Sequence, residues 1–219
     1  MQPHDTSPGS RTDPLIARLA DDLRPVRAQR ARTGWVWLLL AGLATAVGVQ
    51  LAFGLKPGQA LQPEGRWFLL GEALLATLGI ACAAAVIRMA APQRAGRPAA
   101  YWVALASAPM PAAALVPWAL GSHHAGVPWA PGHGMCAVLG TLCGALVAAA
   151  LVFWLRRGAP ASPARAGLYA GLASGALGSA IYGLSCPQLG FAHWALWHFV
   201  PVLVLGLAGY VLLPRFLRW

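Results

Sequence analysis

His133-x-x-Cys136 and the stretch from Tyr182 to His198, YGLSCPQLGFAHWALWH, hold most of the side chains in this chain that could do chemistry. Thiolates and neutral imidazoles are the ligands that soft or borderline cations such as zinc, cadmium or copper prefer. His133, Cys136, Cys186 and His193 could supply four ligands, with His198 a further candidate. Two thiols that meet can instead form or break a disulfide. A third alternative is that these cysteines and histidines merely pack or face water. No paired CxxC is present, so spacing alone leaves the three open. Glu72 is a separate candidate, because it is the only acidic residue inside an apolar segment. A carboxylate there is costly and often functional. It is protonated, or pairs with Arg66 or a histidine, or else it snorkels to the outer interface. Cys82 and Cys143 sit deep in apolar segments and read as small hydrophobes. The chain has no phosphate loop, nucleophile elbow or HExxH, and nothing in it points to an enzyme.

The elements that would position these groups are membrane helices. The chain is 58% hydrophobic and only 10% charged, against about 25% charged in soluble domains. It cannot cover a water-facing surface. Six apolar segments run over Gly34–Leu55, Trp67–Ala91, Tyr101–Gly121, Gly134–Leu155, Ala164–Ser185 and Phe191–Leu213. Each is close to the roughly 20 residues that span a bilayer. Pro109, Pro111 and Pro117 crowd the third, which predicts a kink or break. In the fifth, Gly167, Gly171 and Gly175 recur every four residues, and Gly178 continues roughly that face, a surface for close helix packing. The expected fold is all-α: a polytopic six-helix transmembrane bundle over residues 33–219, preceded by a polar segment, residues 1–32.

Charge fixes the orientation. Arg11, Arg18, Arg24, Arg27, Arg30 and Arg32 precede the first span; Arg88, Arg94 and Arg97 follow the second. Arg156, Arg157 and Arg165 follow the fourth, and Arg215 and Arg218 end the chain. Only Lys56 and Arg66 fall on the other side. By the positive-inside rule both termini are cytoplasmic. The net charge of +10 thus reflects loop bias, and no nucleic-acid partner is needed. His123, His124, His133, Cys136, Cys186, His193 and His198 then all fall at the opposite face, where disulfides are permitted in bacteria. On the cytoplasmic side, Asp13-Pro14 starts a short helix. Leu15, Ile16, Leu19, Leu23 and Val26 form its apolar stripe. That stripe suits a groove in a partner protein or the inner leaflet of the lipid membrane.

Several short pieces, in this order, carry a family resemblance: LIARLADDLRPVR (Leu15–Arg27), Cys136, Gly158-Ala159-Pro160, the glycine-rich fifth span ending in Cys186-Pro187, and the terminal PRFLRW from Pro214. Together they resemble the NrsF family. The resemblance implies a multi-pass protein of the bacterial inner membrane that acts as an anti-sigma factor for an ECF sigma factor. It also implies that Cys136 and Cys186 are periplasmic, redox-active sensing thiols of a stress response to heavy metals or oxidants. No cofactor is required on this reading, beyond transient binding of Zn, Cd or Cu as a signal. The competing functions are a small metal or solute transporter or channel, and a membrane thiol–disulfide oxidoreductase.

Overall fold

The structure, a computed structural model, describes residues 13–22, 29–54, 56, 65–91, 99–120 and 132–217, without the side chains of residues 66, 67, 113, 114, 117 and 118. His4, Leu23, Val26, His123 and His124 lie outside the described residues, as does the Arg66 side chain. No strand occurs among the described residues. The helices are α1 (Asp13–Asp21), α2 (Ala31–Phe53), α3 (Gly65–Met89), α4 (Ala99–Ser107), α5 (Met110–Ala119), α6 (Gly134–Arg156), α7 (Pro163–Gly183), α8 (Phe191–His193) and α9 (Val200–Phe216). A π-helical turn, Trp194–His198, joins α8 to α9.

Backbone that crosses a bilayer must satisfy its own hydrogen bonds, which leaves the helix as the form open to such apolar runs. Among the described residues, four helices are long and apolar enough to cross a membrane: Ala31–Phe53, Phe68–Met89, Gly134–Arg156 and Phe191–Phe216. The third apolar segment is two short helices, α4 and α5, parted at Ala108 and Pro109. Pro109 cannot donate to the helix and its ring crowds the preceding turn. The fifth segment, α7, is long but less apolar, because Gly, Ser and Ala take the place of Leu along much of it.

That composition is explained by where α7 sits. It is the centre of the bundle, packed by α3, α6 and α9, and most of its residues are buried. A Cβ added at Gly167, Gly171 or Gly175 would overlap the carbonyl of Gly209, Leu205 or Pro201 on α9. These three glycines therefore allow α7 and α9 to meet backbone to backbone. Gly178 faces a different neighbour, the Gly140–Gly144 backbone of α6. The α7 glycines thus serve two seams, whereas the sequence pattern suggests one face.

α3 and α6 run parallel, while α2, α7 and α9 pack so that the start of α2, the start of α7 and the end of α9 share the end where α3 and α6 close, which gives the bundle two ends. At one end Trp154, near the close of α6, packs on Gly34 of α2 and donates to the Ile87 carbonyl of α3. There Ala159 N–H donates to the Ala90 carbonyl, and Gly158 lies against Ala90 with no room for a side chain. Arg30, Arg32, Arg88, Arg156, Arg157, Arg165 and Arg215 all belong to this end. At the other end lie the start of α6, the close of α7 and the π turn. Leucines of α2, α6 and α9, among them Leu39, Leu43, Leu142, Leu146, Leu203 and Leu207, face outward around the bundle.

Candidate functional site

Cys136 lies in the first turn of α6. Gly132, at a positive φ of 88°, lets the chain turn sharply into that helix. The N–H groups of Met135 and Cys136 then bond back to Gly132 and His133. Cys186 hangs just beyond α7, where its N–H bonds to the Gly183 carbonyl at 3.0 Å and Ser185 N–H bonds to that of Tyr182. Pro187 follows and stops the turn from continuing. The two thiols face each other, Sγ to Sγ, at 3.6 Å, and both are free.

His193 and His198 arrive through the π turn. Residues five apart on an α-helix point well away from each other, since one turn takes 3.6 residues. The i→i+5 pattern of a π turn stacks them on one side. Here the two rings lie 5.5 Å apart at 70°. Pro201, one turn further on, cannot donate a hydrogen bond and its ring would press on the Trp197 carbonyl in a regular helix; the wider turn relieves that. His193 Nε2 is 3.5 Å from Cys186 Sγ. His198 Nδ1 is 2.9 Å from Glu72 Oε1, which comes from α3.

The ligand atoms of Cys136, Cys186, His193 and His198 all lie within 4.8 Å of one another. Their residues are 5%, 2%, 3% and 0% exposed, and Glu72 is 5% exposed. Glu72 therefore does not snorkel; its partner is His198. His193 Nδ1, both ring nitrogens of His198 and both oxygens of Glu72 are buried without a hydrogen bond among the described residues, so the 2.9 Å approach of His198 to Glu72 is an ion-pair contact. Buried imidazole nitrogens normally have a hydrogen-bond partner. The sulfur–sulfur contact with Cys136, together with burial, pushes the Cys186 thiol pKa up from its ordinary value.

His133 is placed differently from the other candidates. Its ring stacks edge-on against His193, centroids 4.6 Å apart, outside the four-atom cluster. The fourth side chain of the cluster is that of His198. Cys82 is buried on α3 and Cys143 is half-buried two turns along α6; neither joins the cluster. Leu15, Ile16 and Leu19 are exposed on α1 as a stripe.

Sequence reasoning missed the groups that hold this site. Thr45, Thr77, Ser107, Thr141 and Ser174 each return their hydroxyl to the carbonyl four residues earlier on the same helix. Ser179 instead reaches across from α7 to donate to the His198 carbonyl at 2.7 Å. Gly183 leaves room for the Glu72 carboxylate, and Gly71 leaves room for the Trp194 indole. Phe68 and Tyr182 wall the His198 ring. The signal for the two glycines was their place beside chemistry-bearing residues, Gly71 before Glu72 and Gly183 shortly before Cys186. Nothing local distinguishes Ser179 from the other hydroxyls. Two reactions fit the geometry: loss of two protons and two electrons to an oxidant to join the sulfurs, or capture of a thiophilic cation by sulfur and nitrogen together.

Comparison with known proteins gives a consistent family. The family described as negative regulator of sigma F, NrsF, matches residues 19–219. The anti-sigma-F factor NrsF of Caulobacter vibrioides (strain NA1000 / CB15N) is 45% identical over 71 residues, 32% of this chain and 33% of that protein. The probable anti-sigma-F factor NrsF of Azospira oryzae (strain ATCC BAA-33 / DSM 13638 / PS) is 33% identical over 84 residues, 38% of this chain and 39% of that protein. The aligned stretches thus span little more than a third of these curated relatives. No solved structure matches.

Proposed function

The chain belongs to the NrsF family, and from that premise we propose that it is a membrane-embedded anti-sigma factor whose outer thiols set its state. It crosses the bacterial inner membrane six times, with α4 and α5 together making the third crossing and α7 the fifth. The arginines gathered at the Trp154 end support a cytoplasmic location for that end and for both termini. Residues 1–32 hold an ECF sigma factor there, through the stripe of Leu15, Ile16, Leu19, Leu23 and Val26. Heavy-metal or oxidant stress acts on Cys136 and Cys186 and releases the sigma factor.

The observation that carries the sensor reading is the 3.6 Å contact between two thiols delivered by different helices. Any bond made there changes how the start of α6 sits on the end of α7. The α6 helix then offers a route through the membrane. Its far end, at Trp154, accepts a hydrogen bond from the Gln29 side chain at 3.0 Å, in the segment that leads out of residues 1–32. A rigid helix held at both ends can pass a shift at one to the other, provided the bundle has two packings that the outer event biases. Inward of the site, Leu75, Leu78, Val147 and Leu151 are buried, and the buried hydroxyls of Thr45, Ser107 and Ser174 are each spent on a carbonyl of their own helix. This favours regulation over transport.

The test is co-purification from bacterial membranes, comparing the full chain with a form lacking residues 1–32. The full chain should capture a sigma factor and the truncated form should not. Equal capture by both would move the docking site off the N-terminal segment. No capture by either would end the anti-sigma reading.

A further inference from the structure

We infer that Cys136, Cys186, His193 and His198 form a tetrahedral site for a divalent cation of the zinc class, with Glu72 as the positioning residue that orients His198. The inference deepens the sensor reading by naming the ligand of the same site, but it rests on the geometry of the cluster.

A tetrahedral ion bound by thiolate at about 2.3 Å and imidazole at about 2.0–2.1 Å sets its ligand atoms roughly 3.7 Å apart for two sulfurs and roughly 3.5 Å apart for sulfur and nitrogen. The observed separations are 3.6 Å for Cys136 Sγ to Cys186 Sγ and 3.5 Å for Cys186 Sγ to His193 Nε2. All four ligand atoms fall within 4.8 Å. Two of the six separations thus match a closed Cys2His2 set, and the other four need to contract from at most 4.8 Å. Two sulfurs and two nitrogens are the donors of structural zinc sites, whereas calcium and magnesium take oxygen.

The second shell agrees. A metal-bound histidine usually gives its other ring nitrogen to a carboxylate, which fixes the ring and strengthens its donor atom. Glu72 Oε1 sits 2.9 Å from His198 Nδ1. That leaves His198 Nε2, buried and without a hydrogen-bond partner among the described residues, as its donor. Gly183 makes room for the carboxylate, and Ser179 pins the His198 backbone. The charges also balance. Binding releases the two thiol protons, and the resulting dithiolate neutralises the dication. His133, half-buried, stacks edge-on against His193 beside the cluster.

The experiment uses the full chain in detergent micelles, stripped with a chelator and kept reduced with a phosphine, and titrated with cobalt(II) as the probe. The expected result is one equivalent bound, with thiolate-to-cobalt charge-transfer absorption and tetrahedral ligand-field bands, and loss of both on adding zinc. Cys136→Ser, Cys186→Ser, His193→Ala and His198→Ala should each remove the tetrahedral spectrum at one equivalent. Glu72→Gln should keep the spectrum and stoichiometry while weakening affinity about 10–100-fold. Cys82→Ser and Cys143→Ser should bind like the parent. Size-exclusion elution and helical circular dichroism identify any variant that fails to fold, and His198→Asn, closer in size, then replaces the alanine variant. An unchanged spectrum in a folded His193 or His198 variant, or no spectrum in the parent, overturns the inference. Sigma capture and release are read in separate samples. Cobalt binding without thiol-dependent release would leave the site standing and remove the sensor reading. Release without cobalt binding would do the reverse.

Discussion

The seam between α7 and α9 and the cluster at the end of α7 are built in opposite ways. Along the seam, Gly167, Gly171 and Gly175 bring two backbones into contact, with no side chain between to repack. At the cluster, five polar or ionisable side chains from α3, α6, α7's end, α8 and the π turn meet inside an apolar bundle, several with unpaired atoms. The seam has one good arrangement. The cluster has several, because protons, an oxidant or a cation can each change which atoms attract. A sensor needs both. On the proposed sensor reading, the rigid seam would keep α7 and α9 together, so that chemistry at Cys136 and Cys186 would displace α6 against that unit.

The largest way to break this contrast is Gly171→Leu. Its side chain would run into the Leu205 carbonyl and Gly206 of α9, which are backbone and cannot rotate away. The expected cost is on the order of 3 kcal/mol or more, seen as loss of monodisperse protein in detergent or a steep fall in thermal midpoint. A midpoint close to the parent's would mean that the seam yields and is not the rigid half of the pair. Glu72→Ala comes next. It leaves the buried His198 Nδ1 without its partner, at a cost of about 2–3 kcal/mol. The double variant Glu72→Leu with His198→Leu should recover most of that loss, because an apolar pair of similar volume needs no partner. Stability that falls further in the double variant would contradict the pairing.

The difference between seam and cluster also decides what the sequence could reveal. The seam was legible as a four-residue glycine repeat, since helix packing follows a fixed period. Even there Gly178 was misread, because the face that meets α6 is only slightly rotated from the one that meets α9. The break between α4 and α5 was legible in the prolines. The cluster was legible in its membership and not in its geometry. Cys136 and Cys186 could be placed at one end by topology. The choice of His198 over His133 depended on a π turn, which no α-helical periodicity predicts. Glu72 stood out as a lone acid. Its partner was beyond reach of the sequence, because 126 positions separate it from His198 and only the bundle brings them together.

Cys136→Ser and Cys186→Ser sharpen the contrast from the other side. Each removes a sulfur but little volume, and the bundle should lose no more than about 1 kcal/mol. Release of the sigma factor under cadmium or peroxide should nonetheless disappear in each, measured by co-purification before and after exposure. Normal release in both would take the response away from the cluster altogether. Cys143→Ser, two turns along the same helix, serves as the matched control and should respond like the parent.

The smallest expected effect tests the link between the cluster and the cytoplasmic face. Gln29 donates to the Trp154 carbonyl, near the end of α6 that lies farthest from Cys136. That carbonyl also accepts from the Arg157 N–H at 3.2 Å, so Gln29→Ala leaves no orphaned acceptor. The variant should lose about 1 kcal/mol or less, and the thermal midpoint of the bundle should barely move. If α6 carries the outer event inward, however, Gln29 is where the N-terminal segment grips it. Weakening that grip by about 1 kcal/mol should shift the metal or oxidant dose for half-release by up to about fivefold. The direction tells which packing the bond favours. A higher dose means that the bond helps transmit the shift, and a lower dose means that it helps hold the sigma-bound state. A dose–response curve that superimposes on the parent's would place the coupling on another helix, with α9 and its fixed seam to α7 the next to test.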